Sequence, residues 1–220
     1  METTKADIDA LAARFFECMP SVDADGKRIS IALYRLLAEG EPARSGELAT
    51  KIGLDETLVH EKLQSWPGVF FDKQGSVQGY WGLAIAETKH CFEVEGRTLY
   101  TWCAWDSLFL PEILQKTARV SSSCPVTGET IRLRVSPNEL EIVEPADMVM
   151  SFPGVDRMEL GEDVVTNFCH FVHFFRSPEA ANRWLEKHPG HLILSFNDAL
   201  ELARKKNALQ YGGLLEASSG

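Results

Sequence analysis

The spacing of apolar residues changes along this chain, and that change restricts the available folds more than any single motif does. Up to Leu63 they recur at helical intervals, whereas beyond Leu83 stretches of alternation appear, as in strands with one buried face. Ile8, Leu11, Ala12, Phe15 and Phe16 share one face of a helix expected from Lys5 to Met19, which Asp25-Gly26 should break. A second helix carries Ile29, Leu33, Leu36 and Leu37 and should stop at Gly40, before Pro42. A short helix capped by Ser45 then ends at Gly53, and another capped by Asp55 carries Leu58 and Leu63.

The run from Val69 to Trp81, with Gly75 at its centre, reads as a strand, a turn and a return strand. Helices leading into such a hairpin suggest a winged-helix-like helical domain over residues 1–82. A DNA-binding role would require a recognition helix that attracts phosphates, but Asp55, Glu56 and Glu61 there face Lys62 alone. That segment is better read as a cover packed on the second domain. Residues 83–220 should form an α+β domain of antiparallel sheets with flanking helices. Its strands are expected at Thr88–Val94, Arg119–Cys124, Glu129–Ser136 and Glu139–Val143, and its helices at Thr98–Lys116, Pro178–Lys187 and Phe196–Ala208. Pro111 should start a new turn of the first of these helices, and Gly212–Gly220 should fray.

A 220-residue chain that is 45% hydrophobic can bury a substantial core. Its formal charge of -10 and pI near 5.1 disfavour a nucleic-acid partner. The start of the chain lacks a basic, then apolar leader, and no uncharged stretch approaches the roughly 20 residues of a membrane span. Cys18, Cys91, Cys103, Cys124 and Cys169 are an odd set in a chain too long to need staples, which suggests reduced thiols and a cytoplasmic location.

Phosphate loops, His-Glu-x-x-His and Gly-x-Ser-x-Gly are absent, leaving thiol chemistry. In the expected helix, Cys103 and Asp106 lie three apart on one face. If that helix starts at Thr101, its dipole should favour the Cys103 thiolate. A buried cysteine beside a solvated aspartate is the plainer reading of so short a motif. Asn167–Phe175 reads as a buried strand with Cys169, Phe171, His173 and Phe175 on one face, and Phe168, Phe174 and Phe175 as core. On such a strand Cys169 and His173 would stand on the order of 13 Å apart, too far to share a zinc ion. His188 and His191, flanking Pro189-Gly190, read as a surface loop.

Three segments, Arg97–Asp106, Thr117–Gly128 and Asn167–Phe175, resemble the organomercurial (alkylmercury) lyases in order and spacing. The resemblance implies that Cys103 and Cys169 are catalytic thiols that bind mercury and that Asp106 is the proton-relaying carboxylate, itself near the metal. It also implies a structural role for Cys124. Where some members carry a further cysteine after Cys169 this chain has His170, which strand alternation would point away. Soft thiolates suit a soft metal, and Trp102, Trp105 and Phe109 could desolvate Asp106 and raise its pKa. The implied reaction is protonolysis of R–Hg⁺ to R–H and Hg(II) without an organic cofactor. Small thiols would strip the product, and a mercuric reductase is the implied recipient. The rival readings are a winged-helix regulator responsive to soft metals and a non-catalytic metal chaperone on the same fold.

Overall fold

Aspartate and serine side chains set the starts of most helices in the computed structural model, which describes residues 7–160 and 163–215, without the side chains of 140–143. Asp7 accepts a hydrogen bond from the Ala10 N–H at the start of α1 (Ile8–Cys18), which buries Ile8, Leu11, Ala12 and Phe15. The expected start of this helix at Lys5 lies outside the described residues. Asp23 caps α2 (Ala24–Leu37) by accepting from Gly26, so Asp25-Gly26 forms its first turn and is not a break. The cap overrides the glycine, because a satisfied first turn outweighs a modest loss of helix propensity. In α3 (Ser45–Ile52) Ser45 is the first helical residue and not the cap, and Gly53 closes the helix in the left-handed region at φ 67°. Asp55 caps α4 (Glu56–Ser65) as expected.

The hairpin of β1 (Val69–Phe71) and β2 (Val77–Tyr80) comes next, with the Asp72 carboxylate accepting from Gln74 and Ser76 in its turn. A short β3 (Leu83–Ala84) pairs with β2 on one side and, on the other, with β5 (Arg97–Thr101), itself paired to β4 (His90–Val94). After α5 (Asp106–Leu114), the strands β6 (Ala118–Ser123), β7 (Thr130–Val135) and β8 (Leu140–Glu144) complete an eight-stranded antiparallel sheet of order β1-β2-β3-β5-β4-β6-β7-β8. Hydrogen bonding is therefore continuous from the hairpin into the larger part of the chain.

A second sheet has the order β10-β9-β11, formed by β9 (Val149–Pro153), β10 (Phe174–Phe175) and β11 (His191–Ser195). Before β10 lie α6 (Val164–Asn167) and a 3₁₀ turn at Cys169–Phe171. Two later helices, α7 (Pro178–Leu185) and α8 (Phe196–Tyr211), carry serine caps at Ser177 and Ser195. The fold is thus α+β with antiparallel sheets, and among the described residues no helix is long and apolar enough to cross a membrane.

Two expected elements are corrected. Thr98–Lys116 is not one helix: Arg97–Thr101 is held as a strand by partners on both edges, and the helix starts only at Asp106. Asn167–Phe175 is not one strand, since only Phe174–Phe175 pair, with β9, and the preceding residues turn helically. A short apolar run does not distinguish a buried strand from buried turns. At the C-terminus Gly212–Leu214 form a 3₁₀ turn and Leu215 is buried, contrary to the expected fraying, while residues 216–220 lie outside the described part.

Trp105 stands at the centre of the core. It is fully buried, and its ring packs against Phe15, Phe109, Phe152 and Phe168, drawn from α1, α5, β9 and the segment before Cys169. Its indole N–H donates to the Ala199 carbonyl on α8 at 3.1 Å. Trp105→Ala should therefore lower unfolding stability in urea by about 3–5 kcal/mol, the cost of truncating a large buried aromatic. A loss below about 1 kcal/mol would show that these contacts do not organise the core.

Candidate active site

The turn from β5 into α5 is closed by its own side chains. Thr101 Oγ1 donates to the Cys103 carbonyl at 2.9 Å, Ser107 Oγ donates to the Ala104 carbonyl at 2.6 Å, and the Cys103 N–H donates to Asp106 Oδ2 at 2.7 Å. Cys103 is thus in a turn ahead of the helix, and the expected shared helix face is replaced by a turn hydrogen-bonded back to Asp106, the first helical residue. The outcome for chemistry is the same: the two side chains are neighbours.

Cys169 reaches them from the other half of the domain. The Ala104 N–H donates to the Val172 carbonyl, joining the two cysteine-bearing turns directly. Ser151 on β9 secures the second turn: its hydroxyl donates to the Phe171 carbonyl at 2.7 Å and accepts from the His173 N–H at 3.0 Å. As a result the sulfurs of Cys103 and Cys169 and a carboxylate oxygen of Asp106 all lie within 4.8 Å of one another, and all three residues are buried. Among the described residues this is the only group of three such side chains with that spacing.

Burial governs the electrostatics. It pushes the Asp106 carboxyl up to about 6, against the opposing hydrogen bonds of Cys103 and the charge of Lys206. Burial likewise holds the Cys103 thiol well above its usual range, with its hydrogen bond to Cys169 and the Asp106 charge acting the same way. The hydrogen bond from Cys103 pulls the Cys169 thiol down, but burial and the Asp106 charge outweigh it and leave a raised pKa. The expected dipole-stabilised thiolate at Cys103 is therefore corrected: without a metal both sulfurs are thiols.

Asp106 and Cys169 line a small cavity enclosing about 10 Å³, bordered also by Phe15, Met19, Tyr34, Trp102, Phe109 and Phe168 among others, with Cys103 buried beside them. Trp102 and Phe109 supply the expected apolar lining, whereas Trp105 lies in the core behind them. Lys206 on α8 also borders it, only 2% exposed. Its isolated position in an amphipathic helix gave no sequence signal. Gly82 was missed as well: at φ +98° it sits so near Asp106 that an added Cβ would come within 2.5 Å of the carboxyl carbon.

On its outer side Cys169 opens to a separate cleft lined by Lys89, His90, His170 and His173. His170 is exposed in the 3₁₀ turn, so strand alternation does not set its direction. His191 begins β11 and His188 stacks on Trp184 at 3.8 Å, so neither belongs to a solvated loop. Cys124 is buried in the turn after β6, Cys91 lies on β4 and Cys18 ends α1, all outside the cluster.

A buried dithiol with a carboxylate at its side, set in an α+β fold, marks a class of protein built to hold a soft metal away from water. The alkylmercury lyase family model (MerB) matches residues 83–206, and the chain belongs to that family. It is 42% identical over 176 residues to the alkylmercury lyase of Staphylococcus epidermidis, covering 80% of each chain. To that of Pseudomonas putida it is 40% identical over 185 residues, covering 84% of this chain and 81% of the relative. A crystal structure of the mercury-bound form of MerB2 superposes with a TM-score of 0.74 over 91% of this chain and 99% of that one, at 23% identity, and so shares the fold.

The Gly82 contact is testable on folding alone. Gly82→Ala should cost at least ~2 kcal/mol more than Gly75→Ala, since both glycines have positive φ but nothing lies within 4 Å of a Cβ at Gly75. Equal losses by denaturant unfolding would mean that Asp106 yields without cost.

Proposed function

We propose that Cys103 and Cys169 clasp the mercury atom of R–Hg⁺ while Asp106 moves the proton that cleaves its carbon–mercury bond. The observation carrying this reading is the convergence of two sulfurs and one carboxylate within 4.8 Å in an apolar interior. Two soft thiolates outcompete oxygen and nitrogen donors for mercury, and binding releases their protons.

One thiol loses its proton to solvent as its sulfur bonds to mercury. The ionised Asp106 accepts the proton of the other thiol, freeing the second thiolate to join the metal. Electron density from both sulfurs makes the mercury-bound carbon more basic. The Asp106 carboxyl then donates its proton to that carbon; the carbon–mercury electron pair becomes the new C–H bond, and R–H leaves. Hg²⁺ remains on two thiolates and the Asp106 carboxylate. An acid with a pKa near 6 suits both roles, because it can hold and give up a proton near neutral pH.

The N-terminal residues 1–82 act in this reading as a winged-helix-like cover on a catalytic part spanning 83–220. Phe15, Met19 and Tyr34 support it by bordering the cavity. The cavity has room for about one water, so the lining from α1 or α6 must shift to admit R. Small thiols would then take Hg(II) in the cytoplasm, with a mercuric reductase as onward recipient. The cycle is redox-neutral and calls for no organic cofactor.

Asp106→Asn should bind Hg(II) with near-native stoichiometry yet release benzene from phenylmercury at least about a hundredfold more slowly. Full-rate release would remove Asp106 from the mechanism; capture without benzene in the wild type would favour a metal chaperone. In the wild type, kcat/KM should fall as the pH drops through about 6, since only the ionised carboxylate can accept the thiol proton. The sign for stability is the opposite: the folded pKa exceeds the unfolded one, so this group contributes most below about 4 and progressively disfavours folding as pH rises to 6. Unfolding curves should therefore show Asp106→Asn gaining stability relative to wild type across that interval.

A further inference from the structure

Lys206 lies on α8, remote in sequence from the three reactive groups, yet it borders the same cavity and is 2% exposed. Burying an ammonium is costly unless something nearby uses the charge. Its hydrogen-bond acceptor is a neutral amide, Asn207 Oδ1, at 3.2 Å, and its nitrogen stands 3.8 Å from the centre of the Phe109 ring. Phe109 is three residues after Asp106 on α5, on the same side of that helix, so the ammonium and the carboxylate border one cavity from facing helices without a direct hydrogen bond. Asn207 is fixed in turn, its amide donating to the Phe109 carbonyl at 3.0 Å and to Glu112 Oε2 at 2.8 Å.

Burial pulls the Lys206 ammonium down to about 7, against the opposing charges of Asp106 and Glu112 on α5, and the Tyr211 ring lies 5.5 Å away on its own helix. Glu112 is bound by Asn207 and is partly exposed, so solvent screens it. Asp106 is buried and unscreened.

In the proposed cycle, on which this inference rests, the formal charge of the reacting groups stays constant. The free site holds two neutral thiols and one carboxylate. The captured state holds two thiolates, one R–Hg⁺ and a neutral carboxyl. The product state holds two thiolates, Hg²⁺ and a carboxylate. Each carries one net negative charge in an apolar interior. We infer that Lys206 is the built-in counter-cation of the site, neutralising that single charge at every stage of carbon–mercury cleavage. It is a positioning residue that acts through its charge without bonding to mercury. One fixed cation suffices because capture exchanges one thiol proton, lost to solvent, for one R–Hg⁺, and protonolysis then moves a proton within the group, so its total charge does not change.

The test is anaerobic benzene release from phenylmercury with excess thiol, comparing wild type, Lys206→Met and Lys206→Ala. Lys206→Met keeps the volume and removes the charge; because it strips one partner from a buried charge pair and leaves Asp106 uncompensated, its unfolding midpoint should fall, and turnover is compared at a temperature where circular dichroism shows it folded. Its turnover should fall roughly tenfold or more, as expected when a preorganised charge is lost from a dry site. Lys206→Ala should regain activity severalfold in propylammonium but not in 1-propanol, which fills the same space without charge. Turnover of Lys206→Met within twofold of wild type, or equal rescue by the alcohol, would overturn the inference while leaving the cleavage chemistry intact. Absence of benzene release from the wild type itself would instead strike the underlying reading. Should Lys206→Met fail to fold, the rescue comparison on Lys206→Ala decides.

Discussion

The structure depends on keeping one carboxylate nearly dry beside two thiols. A buried carboxyl prefers to be neutral, and Asp106 resists only as far as its hydrogen bond from the Cys103 N–H and the nearby Lys206 charge allow. The balance leaves a group that can both take and give a proton near neutrality. Burial also raises both thiol pKa values and keeps the sulfurs protonated in the free site. The same desolvation that costs folding free energy therefore prepares the chemistry.

Holding that arrangement requires rigidity from distant parts of the chain. Trp105 immobilises the Cys103 turn against α1, α8 and β9, and Ser151 fixes the turn that carries Cys169. The Ala104–Val172 bond then joins the two turns. Gly82 contributes by having no side chain, which lets the β2–β3 connection lie against Asp106. Both sheets serve the site chiefly by delivering these turns to one place.

Much of the fold was legible. Helical periodicity marks α1, the Asp55 cap α4, the Gly53 stop α3, and alternation β4, β6 and β7 in the sequence, because each reflects a local hydrogen bond or a repeat of one face. The reading failed where the reactive residues lie. Thr98–Lys116 reads as one helix, but its first part is rich in threonine and aromatic residues, and pairing on two edges holds that part as strand. Asn167–Phe175 has strand composition, but tertiary packing folds most of it into turns. Local preference there is overridden because the side chains must meet partners remote in sequence.

By itself the sequence determined the α+β class and, through its resemblance to a family, the choice of Cys103, Asp106 and Cys169 as the candidate site. These are matters of residue type and order, which spacing and composition carry directly. Only the tertiary structure decided that the three converge, that their protons are held by burial, and that Lys206 and Gly82 stand beside them. Desolvation and proximity depend on which distant segments pack together, and no pattern along a single segment encodes that.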